Sequence, residues 1–575
     1  MPTRKRIIAY TEYVFSRYGF LITGAACLLL GYLLVWQRGL YFDDYLVRNQ
    51  LINPATGEST ITFTSIYFPL RMMPTPLIYL SILAIPKYEF LVRLLTTLCL
   101  GLNAWLLGLV IYRALKSKLV AVIGGWLFLA PVFAWEATLW MSAEYYLTSA
   151  PFALLFLLFY QNSLEAESQP RKCLIWSTLC FMLMLLNFEG LIAIIGIALL
   201  LSFVQGVSES ALTYWSRLKQ ALGRLMWPAV VALIFLFISR YSLLIAARGG
   251  LDLTLDGLFW RAGNYLSTMF WMTISRDFGL LLLKEAFSVG LSVMLSSWTG
   301  IGLLCLACIS LLLTVKTWRG DEREFASNYG VGIALFFIGI AWLIVIALVP
   351  GIFLKGQILQ YRMLYFPMAG VALAIAALAW MAAKKLRRYR GVNKLLVGLA
   401  GLILLATSIV MLGYSQLFAQ RYQEDQRQIS AVMQLLTPQD LPPGLYLILY
   451  NFDEHSLPNA PAASMVLFGA FETPSGANGT LTAAFRRRDL TPMVTHRWSR
   501  MRFQYDALGE RLQIQGIAVP PEKALMVTYQ GGRAYLVESL TVSSEDGSEQ
   551  TVEFPLAREF SARGASSISN LKVAE

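Results

Sequence analysis

Apolar runs of membrane-crossing length recur along this chain, separated by short polar segments. A hydrocarbon layer about 30 Å thick needs roughly 17–25 such residues per helix. Eleven runs qualify: 18–37, 88–112, 119–136, 143–160, 172–188, 190–206, 226–246, 291–315, 329–350, 363–383 and 395–415. Beyond 415 the pattern changes. Residues 416–436 are polar, with apolar positions at helical spacing, until Pro442-Pro443-Gly444 breaks the pattern. Short apolar or alternating runs follow at 445–450, 465–471, 480–485, 500–505, 511–519 and 524–529, separated by Gly, Asn and Pro. These are strand signals. The expected architecture is an all-α polytopic membrane domain of about eleven transmembrane helices over residues 1–415. A linker helix over 416–440 and a small β-rich (α+β) domain over 441–575 complete it. The last residues, Ala565–Glu575, read as a frayed end.

Composition agrees with the spans. Of 575 residues 57% are hydrophobic and only 14% are charged, a balance foreign to soluble domains. The net charge of +12 does not indicate nucleic acid, because the bases sit in alternate segments between spans. Arg4, Lys5 and Arg6 precede the first span, and Arg113, Lys116 and Lys118 follow the second. Arg171 and Lys172, then Arg217, Lys219 and Arg224, then Lys316, Arg319 and Arg323 continue the series, which ends with the six bases of 384–394. All share one side if the N-terminus is cytoplasmic, which makes the first span a signal anchor and the C-terminal domain extracytoplasmic. The expected location is the plasma membrane, and a bacterial inner membrane is favoured. The chain ends without a retention signal, and its tail has one plain glycosylation acceptor, Asn478-Gly-Thr480. All six cysteines lie in or beside spans and read as packing residues. The basic triplet Arg486-Arg487-Arg488 reads as a solvated face.

Chemistry gathers on the outer side. Asp43 and Asp44 adjoin each other just beyond the first span, where two carboxylates close to lipid are costly. A Pro-bracketed apolar run, 77–85, is too short to span and reads as an interfacial or re-entrant helix. The next outer loop carries Glu136 and Glu144 among aromatics, and a tiny third loop, Asn187-Phe-Glu-Gly190, places Glu189 at membrane depth. The segment 247–290, with Trp260, Arg261, Trp271, Arg276 and Asp277, reads as amphipathic helices on the surface. Lys355 and Arg362 stand out on the last outer loop, and Arg48 and Arg71 add positive charge to the same face. Arginine offers paired donors to phosphate oxygens. Carboxylates facing cations suit a reaction in which an acid group deprotonates an acceptor while bases hold an anionic leaving group. Only His455 and His496 are present, both in the tail, so a histidine-based mechanism in the membrane part is excluded. There is no nucleotide-binding loop.

With these residues in place, the chain resembles the GT-C superfamily of integral-membrane glycosyltransferases, which includes protein O-mannosyltransferases and lipid A aminoarabinose transferases. Asp43-Asp44 occupies the position of the superfamily's acidic motif in the first outer loop. Tyr361-Arg-Met-Leu-Tyr-Phe-Pro367 resembles its Arg-x-x-Tyr-x-Pro stretch, and Trp140-Met-Ser-Ala-Glu144 its second-loop Trp-x-Ser stretch. Asn187-Phe-Glu-Gly190 stands where members carry Lys-Glu, with Phe188 replacing the lysine. The resemblance covers residues 1–415. It implies transfer of a sugar from a polyprenyl-phosphate donor to a glycan, lipid or protein acceptor outside the cytoplasm. It implies Asp43 or Asp44 as general base, and Arg362 with Lys355, Arg71 or Arg48 as phosphate ligands. Glu144, Glu189 and Glu136 would orient sugar or acceptor. No cofactor is firmly implied: paired carboxylates suit Mg²⁺ or Mn²⁺ beside Asp43 and Asp44, but members with monophosphate donors usually do without one. The rival readings are a lipid or glycan transporter and a non-catalytic scaffold; no internal repeat favours the transporter. The sequence does not fix an oligomeric state.

Overall fold

The computed structural model describes residues 89–129, 135–139, 144–165, 170–209, 214–239, 254–276, 278–296, 329–353, 361–385, 392–452, 491–495, 504–506, 511–514, 517–543 and 549–574, with a few isolated positions besides. The first expected span, the Asp43-Asp44 pair, Arg48, Arg71, the 77–85 run, Lys355, the triplet 486–488 and both histidines lie outside them.

Twelve helices precede the C-terminal strands among the described residues. They are α1 (Glu89–Leu115), α2 (Lys118–Leu129), α3 (Trp135–Leu139), α4 (Glu144–Glu165), α5 (Pro170–Asn187), α6 (Ile194–Glu209), α7 (Tyr214–Ser239), α8 (Leu255–Ile274), α9 (Gly279–Ser296), α10 (Tyr329–Phe353), α11 (Pro367–Lys385) and α12 (Val392–Leu435). Seven helical stretches among them are long and apolar enough to cross a membrane, and the chain is an integral membrane protein.

One expectation is corrected. The run 119–136 is not one helix: α2 has 12 residues, and Trp135 and Glu136 belong to the separate α3. Pro131 follows the end of α2 by two positions in sequence, and proline removes a donor and clashes with the preceding turn. The segment 247–290 holds α8 and α9, and the stretch Leu255–Ser296 is one of the seven apolar stretches. On α8, Arg261, Tyr265 and Met272 are buried while Phe259, Trp260, Phe270 and Trp271 are exposed. The helix is amphipathic, with the arginine on its buried stripe and the aromatics on its exposed one.

Two compact units divide the chain within α12, between Gln416 and Leu417. In the first unit α1 and α2 form a hairpin through Lys116 and Ser117, with Lys116 in the left-handed region (φ 53) and its N–H donating to Tyr112 O at 2.7 Å. Small residues let other helices touch. A Cβ on Gly339 of α10 would lie 2.6 Å from Gly370 O of α11, and one on Gly370 would lie 2.5 Å from Gly339 O. Lipid offers no hydrophobic drive for helix association, so such backbone contact is a main source of packing energy. Replacing Gly370 with valine is expected to cost about 1–3 kcal/mol or more, because the opposing atoms are backbone and cannot yield. Thermal unfolding in detergent checks this against Gly398→Ala, which meets no atom within 4 Å and should be neutral or mildly stabilising.

In the second unit a five-stranded sheet has the order β10-β7-β6-β1-β2. Its strands are β1 (Tyr446–Tyr450), β2 (Thr491–Thr495), β6 (Ala524–Gln530), β7 (Arg533–Val537) and β10 (Ser567–Ile568). β1 runs parallel to both β2 and β6. β6 turns into β7 through Gly531 and Gly532 at φ 57 and 80, a left-handed pair that glycine adopts at least steric cost. From Ala524 to Tyr529 every residue of β6 is buried, as expected for a strand covered on both faces. Val432 of α12, Leu436 just after it, and Ala557 and Phe560 of α13 (Pro555–Ala562) join the same core. Smaller sheets pair β3 (Gln504–Asp506), β4 (Arg511–Ile514) and β5 (Ile517–Val519), and β11 (Leu571–Ala574), β8 (Ser539–Ser543) and β9 (Glu549–Glu553). The C-terminal end is not frayed: Leu571–Ala574 pairs in parallel with Leu540–Ser543, and Ser567–Ile568 pairs with Leu536–Val537.

The polar stretch after residue 415 continues α12 unbroken to Leu435. There Arg421 and Asp425, both buried, pair at 3.2 Å. Gln428 Nε2 donates to Phe452 O at 2.8 Å, and Tyr529 donates its hydroxyl proton to Glu424 Oε1 at 3.2 Å.

Candidate functional site

The sequence segment Tyr361-Arg-Met-Leu-Tyr-Phe-Pro367 becomes a single 3-10 turn, Tyr361–Leu364, leading into α11. Pro367 opens α11, where its missing N–H costs nothing. Met363, Leu364, Tyr365 and Phe366 are buried, and Arg362 among them keeps partial exposure. The apolar neighbours therefore anchor the turn and fix where Arg362 starts.

Tyr365 is the main anchor. Its ring packs on Phe128 of α2, with centroids 5.1 Å apart. Its hydroxyl accepts a hydrogen bond from Asn103 Nδ2 of α1 at 3.0 Å, and the same amide donates to Leu147 O of α4 at 3.0 Å. Asn103 thus ties three elements together from within an apolar helix. Phe366 packs on Trp342 of α10 at 5.3 Å.

Glu136 reaches Arg362 from α3. Its Oε2 accepts the Arg362 backbone N–H at 3.2 Å and lies 3.8 Å from Arg362 Nη1. The side chains are 9% and 13% exposed, and Arg362 Nη1 is itself buried. Burial pushes the Glu136 carboxyl above its ordinary value; the Arg362 charge and backbone N–H oppose this without cancelling it. Trp135, next in chain, stacks on Tyr414 of α12 at 5.2 Å and holds α3 in place.

A second cluster joins the next two loops. Tyr145 and Tyr146, at the start of α4, pack against Phe188 at 5.4 and 4.4 Å. Phe188 precedes the 3-10 turn Glu189–Ala193, so Glu189 opens that turn beside the cluster. Thr148 donates to Asn187 Oδ1 at 3.5 Å across the same junction. Glu144 is the first residue of α4. Leu147, one residue past Tyr146, accepts the Asn103 bond, so hydrogen bonds and ring contacts link this cluster to the Arg362 turn.

Of the expected site residues, the structure brings Glu136 and Arg362 into direct contact and places Glu144 and Glu189 at neighbouring loop ends. Asp43, Asp44, Arg48, Arg71 and Lys355 lie outside the described residues. The Mg²⁺ or Mn²⁺ considered at Asp43 and Asp44 concerns that same undescribed stretch. Asn103 was missed as a site residue. Its signal was available: a lone amide within the apolar run 88–112. Replacing Asn103 with leucine leaves Tyr365 Oη and Leu147 O without their donor. The expected cost is about 1–2 kcal/mol of stability, with a larger fractional loss of function as the Arg362 turn loosens. Parallel thermal unfolding and activity measurements check it.

No protein-family model and no curated protein matches the chain. Solved structures do. One is ArnT from Cupriavidus metallidurans bound to undecaprenyl phosphate, 15% identical over 89% of this chain and 93% of that one, with TM-score 0.33. Another is the archaeal oligosaccharyltransferase AglB from Archaeoglobus fulgidus with an inhibitory peptide and a dolichol-phosphate, 13% identical over 84% of this chain and 65% of that one, with TM-score 0.40. At these identities and superpositions the likeness carries no function across to this chain.

Proposed function

We propose that the protein is a glycosyltransferase that moves a sugar from a polyprenyl-phosphate carrier to an acceptor on the extracytoplasmic face. The observation that supports this reading most is Arg362. Its side chain stays partly accessible on a turn pinned by Tyr365, Asn103 and Phe366 at the entrance to an apolar helix. A guanidinium in that position can pair with a phosphate at the lipid boundary while the carrier's tail stays in hydrocarbon.

In this reading the acceptor oxygen attacks the sugar's anomeric carbon as the bond from that carbon to the phosphate oxygen breaks. The acceptor proton passes to Asp43 or Asp44. The negative charge growing on the departing polyprenyl phosphate is met by Arg362, helped by Lys355, Arg71 or Arg48. Glu144 and Glu189, on the joined loops, orient sugar or acceptor. Both would act from outside, as the alternation of basic segments implies.

The test is the fate of the sugar–phosphate bond. Proteoliposomes supplied with polyprenyl-phosphate sugars and candidate acceptors are expected to release free polyprenyl phosphate. A protein that only carries such lipids across the bilayer would leave that bond intact while changing the leaflet in which they are found.

A further inference from the structure

We propose that α4, α5 and α7 form, at the end far from the Arg362 turn, a binding site for the headgroup of an anionic phospholipid, lined by Arg171, Lys172, Lys219 and Arg224. The site stands apart from the sugar-transfer reading. Along α4 it lies roughly 24 Å from Leu147, the partner of Asn103, at about 1.5 Å per residue.

Side-chain contacts bring these helix ends to one level. Tyr160 of α4 donates its hydroxyl proton to Ala221 O of α7 at 3.3 Å. One turn further along α7, Arg224 Nη1 donates to Ser163 O in the last turns of α4. Phe159 stacks on Trp176 of α5 with ring centroids 6.4 Å apart, and Ser177 Oγ donates to Phe156 O at 3.2 Å. Arg171 and Lys172, in the first turn of α5, therefore fall at the level of Ser163. α7 packs directly on α5.

Four bases thus gather with no acid to answer them. Neither α5 nor α7 has an acidic residue in its first turn, and among the described residues none of the four forms an ion pair. Arg171, Lys172 and Lys219 are exposed, and Arg224 is half-buried. Arg224 gives one donor to the Ser163 carbonyl, out of the five that a guanidinium carries. Depth selects the occupant. Arg224 lies inside the apolar stretch Leu218–Ile238, among the exposed side chains of Leu222, Met226 and Trp227. A soluble anion would have to enter hydrocarbon to meet it. A lipid brings its phosphate to that depth and lays its acyl chains along those three residues. The alternation of basic segments puts this site in the cytoplasmic leaflet.

The experiment reads Trp227 in nanodiscs containing brominated lipids, which quench an indole they touch. The part of the signal lost in Trp227→Phe belongs to the site. In wild type, brominated phosphatidylglycerol is expected to take that position at least about fivefold better than brominated phosphatidylcholine, the factor for one base near a charged headgroup. Replacing the exposed pair, Arg171→Gln with Lys172→Gln, should bring the ratio towards one, and adding Arg224→Gln should complete the loss. Lys384→Gln with Lys385→Gln, which removes bases at the end of α11, should leave the ratio unchanged.

Equal quenching by the two lipids in wild type would overturn the proposal, and so would a ratio untouched by the Arg171 and Lys172 replacements. An equal fall in the Lys384 and Lys385 variant would reduce the effect to general surface charge, and would also overturn it. If inorganic phosphate or a soluble acidic peptide abolished the preference, the seat would belong to a free anion or a protein segment and not to a lipid. Thermal unfolding of each variant separates loss of lipid from loss of fold. Arg171 and Lys172 are exposed, so their replacement should leave unfolding as in wild type.

Discussion

Replacing Arg362 with alanine is expected to lower sugar transfer about a hundred- to a thousandfold, the usual loss when one preorganised charge facing a transition state is removed. The expectation follows from how much of the fold is committed to placing this side chain. Four buried neighbours anchor the turn, Asn103 of α1 bonds Tyr365, and Glu136 holds the backbone N–H. The loss should fall mainly on kcat, since charge on the leaving phosphate grows as the bond breaks. Arg362→Lys should recover part of it, because an ammonium restores charge but not paired donors. The protein should still fold, because Glu136 keeps the backbone N–H of residue 362 and burial already favours its protonated form. Steady-state transfer kinetics beside a thermal unfolding curve check all of this.

The second large effect is expected at the acidic pair. One of Asp43→Asn and Asp44→Asn should cost about a hundred- to ten-thousandfold in transfer, the range for removing a general base. The other should cost far less. An amide keeps the size and hydrogen bonding of the carboxyl but cannot take the acceptor proton. Adding Mg²⁺ or Mn²⁺ after chelation separates this from a metal role: recovery of lost activity by the ion would make the pair a metal ligand set.

How much of this was legible before the fold depends on the kind of signal. The helices Glu89–Leu115, Tyr329–Phe353 and Pro367–Lys385 follow the apolar runs 88–112, 329–350 and 363–383 closely. Uninterrupted apolar sequence leaves the backbone no partner but itself. Lys118–Leu129 fell short of 119–136 because hydropathy does not mark where a helix stops; Pro131 did. Around Arg261 the period was legible but the sign was not. A helix bearing one polar stripe reads the same whether that stripe meets water or protein. In the C-terminal unit β1 and β6 were visible as apolar runs, but β7, β8, β9 and the closing strands were not. Strands as short as Ser567–Ile568 are fixed by long-range partners and not by their own residues. At the site, Arg362, Glu136, Glu144 and Glu189 could each be picked out as polar residues at apolar margins. That Glu136 and Arg362 touch could not, because 226 positions separate them and a single chain carries no record of pairing.

The most direct test of the account is release of polyprenyl phosphate by purified protein from a panel of polyprenyl-phosphate sugars, comparing wild type with Asp43→Asn, Asp44→Asn and Arg362→Ala. The account predicts release by wild type with at least one donor, matched by sugar on the acceptor. Release should be abolished in one aspartate variant and strongly reduced in Arg362→Ala. Equal release by all four proteins, or none with any donor from well-folded wild type, would contradict it.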